Sequence, residues 1–279
     1  MFIVFFAFIF ILGFVDEGVC LLLALLIHEC GHIAAALALG FKVEKLSLQP
    51  LGGYLYLDQM LEVQPQSESR VALAGPMANL IALAAVMALV KYTEQSNFVA
   101  YFIRANLALM IFNLLPALPL DGGRVLRSRL TGWFSYYRAT EIVIACGYVC
   151  GGLLLVFGAF TAFQANLNPT IFAAGVFLLY NAYVEKKQLL IPVIRYVLGR
   201  QKSLHGGKLM AAQVLVATPE AKVNEVLKHI RPQKYYQVSV LNKEQKISGT
   251  LTEHQLLRQI MAGTGQRTLL DVVEGERED

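Results

Sequence analysis

The pattern His28-Glu29-Cys30-Gly31-His32 constrains this chain most, because it lies inside an apolar run from about Val19 to Leu39. On a helix, His28 and His32 are four residues apart and project from one face, so both imidazoles can bind one metal ion. Two imidazoles and one carboxylate form a ligand set typical of zinc and leave a position for water. Glu29 follows the first histidine, where a carboxylate can accept a proton from that water. Polar side chains inside a membrane span are costly without a function or a partner. The apolar surroundings therefore favour a metal site over two histidines that only form hydrogen bonds in a helical bundle.

The composition is that of a membrane protein followed by a more polar segment. Of the 279 residues, 56% are hydrophobic and only 16% are charged, and the mean hydropathy is +0.52. Long uncharged runs in the first two thirds indicate a multi-pass helical protein. The net charge of +4 is modest, and the lysines and arginines lie in loops beside the spans, so no nucleic-acid partner is expected. The spacing of the four cysteines does not suggest a disulfide framework.

Hydropathy predicts about six transmembrane helices. The first covers about residues 1–15 and lacks the features of a cleaved signal, and the second carries the two histidines and ends near Gly40. The other four cover about residues 71–90, 98–115, 140–163 and 169–183. Most basic loop residues then lie on the side of both termini, which the positive-inside rule assigns to the cytoplasm. We therefore expect a multi-pass protein of the cell membrane with both termini cytoplasmic.

Residues 46–57 predict a β-hairpin rather than a helix. Apolar residues partly alternate on both sides of Pro50-Leu51-Gly52-Gly53. Between two spans, such a hairpin either re-enters the membrane or forms a surface loop. A re-entrant hairpin must have its backbone covered by protein, and its exposed edge suits an extended peptide added as another strand.

A small α/β module is predicted after the membrane segment. Strands are expected at 211–217, 236–241 and 246–251, with helices at 222–230 and 253–261. The chain thus divides into a transmembrane domain over residues 1–190 and a cytoplasmic domain over residues 195–279.

Asp121 is the best candidate for the third zinc ligand. It follows an uncharged segment and is flanked by Pro119 and two glycines, which stop the helix and constrain its backbone. Asp58, beside the hairpin, is a second candidate, whereas most other acids lie in polar loops. Four arginines follow Asp121, and they place the zinc nearer the cytoplasmic face than the midplane: Arg124, Arg127, Arg129 and Arg138.

Asn113 is the candidate for a second catalytic side chain. Its amide lies in a hydrophobic segment, two turns before Asp121, and is costly there unless it is used. It can donate a hydrogen bond to the oxyanion that forms when a peptide carbonyl is attacked. The alternative is a hydrogen bond between helices.

Taken together, these motifs resemble the site-2 protease family of intramembrane zinc metalloproteases. The matching features are the HExxH pattern in a span, Ala74-Gly75-Pro76 in the next span, and the segment from Asn113 to Gly123. The resemblance covers roughly residues 18–127. It implies that His28, His32 and Asp121 bind one zinc ion, that Glu29 is the general base, and that Asn113 steadies the tetrahedral intermediate. It also implies cleavage of peptide bonds in or near the membrane segments of protein substrates.

The hairpin and the C-terminal module look closest to the sporulation branch of that family. This likeness implies a membrane-associated pro-protein substrate, such as a sporulation pro-sigma factor, and inhibitory membrane partners. Residues 214–273 resemble one cystathionine-β-synthase (CBS) domain, with Gly249-Thr250-Leu251-Thr252 at its usual Gly-x-x-Thr position. Such domains often pair, which implies a homo-oligomer, and often bind ATP. Gln255 stands where the nucleotide-binding pattern has an acid, and this departure puts ATP binding in doubt.

A second hypothesis comes from a different class of protein. The chain could be a non-catalytic membrane regulator or transporter controlled by the CBS-like domain, with a decayed metal motif. The full set of ligands together with Glu29 argues against this hypothesis, because a decayed site would be expected to lose its base early.

Overall fold

The computed structural model describes most of the chain after the first fourteen residues. The described residues are 15–41, 43–49, 52–57, 65–90, 96–164, 169–189, 191, 194, 211–231 and 234–278. They belong to two compact units. The first lies within Met1–Arg129 and Val143–Lys186, and the second within Leu130–Ile142 and Lys187–Asp279. The predicted first span and Asp58 lie outside the described residues. The division into domains at 190–195 stays a prediction.

The first unit is mainly helical. Its elements in chain order are α1 (Val15–Ala38), β1 (Val43–Gln49), β2 (Gly52–Leu57), α2 (Pro65–Val90), α3 (Asn97–Asn113), α4 (Asp121–Leu130), α5 (Tyr136–Phe163) and α6 (Pro169–Lys187). The first turns of α5 and the last residue of each of α4 and α6 belong to the second unit.

Three of these helices, α1, α2 and α5, are long and apolar enough to cross a membrane, among the residues that the structure describes. Helices α3 and α6 form where spans four and six are predicted. However, α3 has only 17 residues, and α6 ends in charged residues. At a rise of about 1.5 Å per residue, 17 residues cover roughly 25 Å, which is short of a bilayer core. Six spans therefore remain a prediction.

Close packing of α1 against α2 and α3 forms the centre of the first unit. A Cβ atom built at Gly31 on α1 would lie 2.5 Å from the carbonyl oxygen of Ala74 on α2 and 2.7 Å from the Cβ of Ala78. Small residues at such a contact let two helix backbones approach closely, as they do in lipid. The absence of a side chain at Gly31 thus sets the distance between the helix with both histidines and its neighbour.

The hairpin is confirmed. Strands β1 and β2 pair in antiparallel fashion, from Val43 opposite Leu57 to Gln49 opposite Gly52, and both contact α1. Whether this hairpin enters the membrane stays a prediction.

The second unit contains a three-stranded sheet and short helices. Its later elements are β3 (Ala211–Ala217), α7 (Val223–Leu227), β4 (Lys234–Leu241), β5 (Ile247–Thr252), α8 (Glu253–Met261) and α9 (Leu269–Glu278). Strands β3 and β4 are parallel, and β5 is antiparallel to β4. The three strands and two helices expected here are present within a few residues, with α7 shorter than predicted.

Helix α9 was not predicted from the sequence. Leu269, Val272 and Val273 on this helix are buried in the apolar core of the module, together with Val238 and Leu251 of the sheet. The apolar stripe covers only one turn, and the rest of the helix is charged, so its periodicity is too short to recognise. Tertiary burial stabilises it instead.

Candidate metal centre

The two histidines of α1 lie side by side in the interior of the first unit. His28 is 3% exposed and His32 is 9% exposed, and their ring centroids are 4.7 Å apart. This is the arrangement that their i, i+4 spacing predicts on a helix. Both rings can therefore reach a single point beside α1.

Asp121, far along the chain, is the carboxylate at that point. Its Oδ2 atom lies 3.0 Å from Nε2 of His28 and 3.2 Å from Nε2 of His32. The three side chains each offer a ligand atom, and these atoms all lie within 4.8 Å of one another. The structure thus brings together the three residues predicted as metal ligands.

The other nitrogen of each imidazole shows why this cluster suits a cation. Nδ1 of His32 is 2.7 Å from the carbonyl oxygen of Val71, which can only accept, so Nδ1 must be the protonated nitrogen. Nδ1 of His28 is 3.0 Å from Oδ1 of Asn79, whose Nδ2 donates to the carbonyl oxygen of Ala24 and to Oδ1 of Asn106. With these tautomers, assigned from the hydrogen-bond partners, both Nε2 atoms present lone pairs.

Three acceptor atoms therefore converge in a buried space: two imidazole nitrogens and a carboxylate oxygen. Such a cluster repels itself unless a cation lies between its members. Two neutral imidazoles and one carboxylate match a catalytic zinc site with three protein ligands.

Gly75 on α2 keeps the space beside the histidines open. A Cβ atom built at Gly75 would lie 2.8 Å from Nε2 of His28 and even closer to Nε2 of His32. Any side chain here would enter the metal-binding space. From the sequence, Ala74-Gly75-Pro76 is recognisable only as part of the family motif. Its effect on the histidines follows only from the structure.

Asp121 is held at the start of a helix rather than on an irregular backbone. The flanking proline and glycines predict a constrained backbone that stops the preceding helix, and the structure places Asp121 as the first residue of α4. A carboxylate is favourable at a helix N-terminus because of the helix dipole. Built Cβ atoms at Gly122 and Gly123 would overlap the backbone of Leu114 and Ala117, so both glycines are needed for the turn before α4.

Two further contacts attach α4 to the N-terminal end of α2. The guanidinium of Arg127 donates to the carboxylate of Glu68, and both side chains are buried. The hydroxyl of Ser128 donates to the carbonyl oxygen of Pro65. These contacts hold α4, and with it Asp121, against the same helix that contains Gly75.

The predicted catalytic side chains have different surroundings. Glu29 is buried beside His28 on α1. Asn113 is half-buried, and its Nδ2 atom donates to the carbonyl oxygen of Leu109 in its own helix, 3.0 Å away. The roles of Glu29 and Asn113 therefore stay predictions. The alternative role of Asn113, a hydrogen bond between helices, does not match this bond, which lies within α3.

The residues that orient the histidines were not predicted from the sequence. Asn79 and Asn106 are both almost completely buried. They form a connected pair of amides behind His28. The available signal was an uncompensated amide inside an apolar helix, which is costly and therefore informative.

Comparison with known proteins decides the family. Residues 18–96 and 90–158 match the family described as Peptidase family M50, and together they cover half of the chain. The chain belongs to peptidase family M50. It therefore belongs with the site-2 proteases, and the metal expected at its His28, His32 and Asp121 cluster is zinc.

Several relatives of this M50 protein have been named as zinc metalloproteases. It is 28% identical over 238 residues to "Zinc metalloprotease MJ0392" of Methanocaldococcus jannaschii, covering 84% of this chain and 63% of that protein. It is 28% identical over 254 residues to "Stage IV sporulation protein FB" of Bacillus subtilis, covering 90% of this chain and 85% of that protein. It is 39% identical over 120 residues to "Putative zinc metalloprotease Rip3" of Mycobacterium tuberculosis, covering 40% of this chain and 30% of that protein. The chain thus spans less than two thirds of the length of some of these relatives.

A solved structure shares the fold. The "Site-2 Protease from Methanocaldococcus jannaschii" superimposes with a TM-score of 0.54 and 27% identity, covering 66% of this chain and 87% of that one. Together with three apolar helices, this likeness identifies the M50 chain as a membrane protein with a site-2 protease fold.

Proposed function

We propose that this protein is a zinc endopeptidase that hydrolyses a peptide bond of a membrane-associated pro-protein near the cytoplasmic face of the membrane. The single observation that carries the proposal is the buried convergence of His28, His32 and Asp121, two of them on a helix apolar enough to span a bilayer. A soluble protease does not need such a helix around its metal ligands. The relatives named as zinc metalloproteases support the same activity.

The side chains around the metal have distinct tasks in this proposal. His28, His32 and Asp121 would hold the zinc ion, whose Lewis acidity would activate water and polarise a carbonyl group. The carboxylate of Glu29 takes a proton from the attacking water and later delivers it to the nitrogen of the leaving amine. The hydrogen bonds from Nδ1 of His28 and His32 to Asn79 and Val71 keep the Nε2 lone pairs directed at the ligand position.

Asn113 is proposed to stabilise negative charge on the substrate oxygen as the tetrahedral intermediate forms. Its amide donates to the carbonyl oxygen of Leu109 in the structure. Because Nδ2 carries two hydrogens, it can donate the second one to the substrate oxygen while it keeps the bond to Leu109. The edge of the β1–β2 hairpin would bind the substrate as an added strand, because a peptide must be extended for its carbonyl to be attacked.

The substrate class follows from the relatives and remains a proposal. Similarity to a stage IV sporulation protein over 90% of this chain supports a role in sporulation. A sporulation pro-sigma factor as substrate and membrane proteins as inhibitory partners are proposed from the family resemblance. Residues 195–279 are proposed to form a cytoplasmic CBS-like domain that docks substrate or pairs with a second copy. ATP binding is less well supported, because the side chain of Gln255 already caps α8 through Thr252 and donates to Glu276.

Substitution of the proposed base tests the activity. Glu29→Gln is co-expressed with candidate membrane-tethered pro-proteins, and the zinc content of the purified protein is measured. Loss of general-base catalysis is expected to slow cleavage about 10²- to 10⁴-fold, while about one zinc per chain is retained because the three ligands are intact.

The matched control is Glu220→Gln, which removes the charge of an exposed glutamate in the second unit. It should cleave like the wild type. A Glu29→Gln protein that cleaves normally, or a wild type that binds no zinc, would contradict the proposed mechanism and favour a non-catalytic regulator or transporter.

A further inference from the structure

The second unit contains a cleft that the proteolytic mechanism does not use. Its volume is about 310 Å³, and it lies between the N-terminal end of α5 and the residues after α7. The side chains that line it are Phe134, Ser135, Arg138, Glu141, Lys228, His229 and Arg231.

The two walls of this cleft are tied together. The backbone N–H of Tyr136, at the start of α5, donates to the carbonyl oxygen of Ile230 at 3.3 Å. The ammonium group of Lys228 lies 5.6 Å from the centre of the Tyr137 ring, within the range of a cation–π contact. The basic residues of both walls are therefore kept close to one another in the folded unit.

The cleft has an excess of positive charge. Arg138, Lys228 and Arg231 contribute three positive charges and Glu141 one negative charge, which leaves 3 − 1 = +2 with His229 neutral. Glu141 is paired with Arg138 at 2.8 Å. Among the described residues, no carboxylate forms an ion pair with Lys228 or Arg231. Two cations beside an already neutralised pair attract an anion.

The location of the cleft suggests where that anion comes from. Helix α5 is one of the three candidate membrane spans, and the cleft lies at its first two turns. Trp133 and Phe134, which lie three and two residues before the start of α5, are 74% and 42% exposed. Exposed aromatic side chains at the end of a span are typical of the membrane–water interface, where lipid headgroups lie. Basic residues beside a span end recognise anionic lipids.

We propose that this cleft binds the phosphate of an anionic phospholipid headgroup, with Lys228 and Arg231 as the main phosphate-binding side chains and Arg138 beside them. The aromatic pair Trp133-Phe134 contacts the glycerol and upper acyl region of the same lipid layer. The inference goes beyond the proposed proteolysis, because it assigns a ligand to the second unit and does not depend on zinc or on Glu29.

The single tryptophan of the chain makes a direct test feasible. Trp133 is the only tryptophan, and it adjoins the cleft. The full-length protein is reconstituted in phosphatidylcholine bilayers that contain a small fraction of brominated phosphatidylglycerol or, separately, the same fraction of brominated phosphatidylcholine. Bromine quenches tryptophan fluorescence on contact, so the ratio of the two quenching levels measures enrichment of the anionic lipid at Trp133.

We expect phosphatidylglycerol to be enriched several-fold at Trp133 in the wild type. Lys228→Gln/Arg231→Gln should lower the relative affinity for this lipid about tenfold or more, since each basic residue near a membrane surface contributes substantially to binding anionic lipid. The control Lys243→Gln/Lys246→Gln removes two exposed charges from the same unit and should keep the enrichment. Circular dichroism of all three proteins establishes that each is folded.

Three results would overturn the proposal. The first is equal quenching by the two lipids in the wild type. The second is unchanged enrichment in a folded Lys228→Gln/Arg231→Gln protein. The third is loss of the enrichment on addition of millimolar inorganic phosphate at constant ionic strength, which would identify a soluble phosphate compound as the ligand. Cleavage by the Glu29→Gln protein has no bearing on these outcomes, so failure of the proteolytic proposal is distinguished from failure of this one.

Discussion

The second nitrogen of each histidine determines what the first can do. His28 and His32 direct Nε2 at Asp121 because their Nδ1 atoms are held by Asn79 and by the backbone of Val71. A backbone acceptor cannot be removed by substitution, but the Asn79 amide can. The hydrogen bond that orients His28 can therefore be removed by substitution, whereas the one that orients His32 cannot.

Replacement of Asn79 by alanine should weaken the metal site without removing a ligand. The change takes away the acceptor of His28 Nδ1–H and also a donor to Asn106. Loss of such a supporting hydrogen bond typically costs about 10- to 100-fold in metal affinity or activity. Competition with a zinc chelator measures the affinity in Asn79→Ala and the wild type.

Asn181→Ala is the matched control, since within the described part of the chain Asn181 on α6 donates to the carbonyl oxygen of Phe177 in its own helix. It should leave zinc affinity unchanged. Equal chelator sensitivity in Asn79→Ala and the wild type would show that His28 is oriented without this amide.

A single methyl group at Gly75 should abolish zinc binding. The new Cβ atom would lie within 2.8 Å of the ligand nitrogen of His28 and closer still to that of His32. Because α2 is packed closely on α1, the helix cannot move away without losing other contacts. Gly75→Ala is expected to retain much less than one zinc per chain, as measured by elemental analysis.

Gly152→Ala is the control for the effect of replacing a helical glycine on zinc content. A Cβ atom at Gly152 on α5 meets nothing within 4 Å, so this variant should bind zinc as the wild type does. Full zinc occupancy in Gly75→Ala would be incompatible with the geometry described for the site.

At the scale of elements, the metal site depends on how α4 is attached. Asp121 begins α4, and the buried pair of Arg127 and Glu68 joins that helix to α2. A buried ion pair adds little stability compared with well-packed apolar residues, but removal of one partner leaves the other charge in an apolar environment. The pair therefore specifies where α4 packs.

Glu68→Ala should destabilise the protein by about 3–5 kcal/mol, since it removes the carboxylate partner of a buried guanidinium. Glu68→Leu/Arg127→Met should recover much of this loss, because no buried charge is left. Unfolding of the purified protein in detergent, followed by far-ultraviolet circular dichroism, compares the two.

The exposed pair of Lys246 and Glu244 provides the control. Both side chains are more than two-thirds exposed, so Glu244→Ala should change stability by no more than about 1 kcal/mol. A Glu68→Ala protein as stable as Glu244→Ala would show that the buried pair does not hold α4.

At the scale of the whole molecule, the distribution of lysines and arginines in the loops predicts the membrane topology. Basic residues beside the predicted spans predict that both termini are cytoplasmic and that the loop between α2 and α3 lies on the opposite side. The predicted spans belong almost entirely to the first unit and the C-terminus to the second, so the topology has to be tested on the full chain.

Cysteine labelling of intact cells should reveal this topology. In a variant with its four natural cysteines replaced by alanine, Thr93→Cys should react with a membrane-impermeant maleimide. Lys187→Cys and Asp279→Cys should react only after lysis, because they are shielded in the cytoplasm. Protection of Thr93→Cys together with labelling of Asp279→Cys in intact cells would show that the orientation is opposite to the proposed one.

Local patterns in the sequence were sufficient for much of the fold and for part of the site. The i, i+4 spacing of His28 and His32 on an apolar helix, the hairpin around Pro50 to Gly53, and the strands of the second unit all follow from short-range periodicity and turn residues. Asp121 was selected because a charged side chain at the end of an apolar segment is costly unless it has a partner or a function. The structure places it 3.0 Å from His28.

Only the tertiary structure decided which distant groups complete the site. Asn79 and Asn106 behind His28, the open space at Gly75, and the Arg127–Glu68 contact each join residues from different helices. Helix α9 likewise exists because the core of the second unit buries one turn of apolar residues. Periodicity reports which face of an element is apolar, but it carries no information about what that face meets. The sequence by itself therefore determined the helix that carries the histidines, and packing decided how those histidines are oriented.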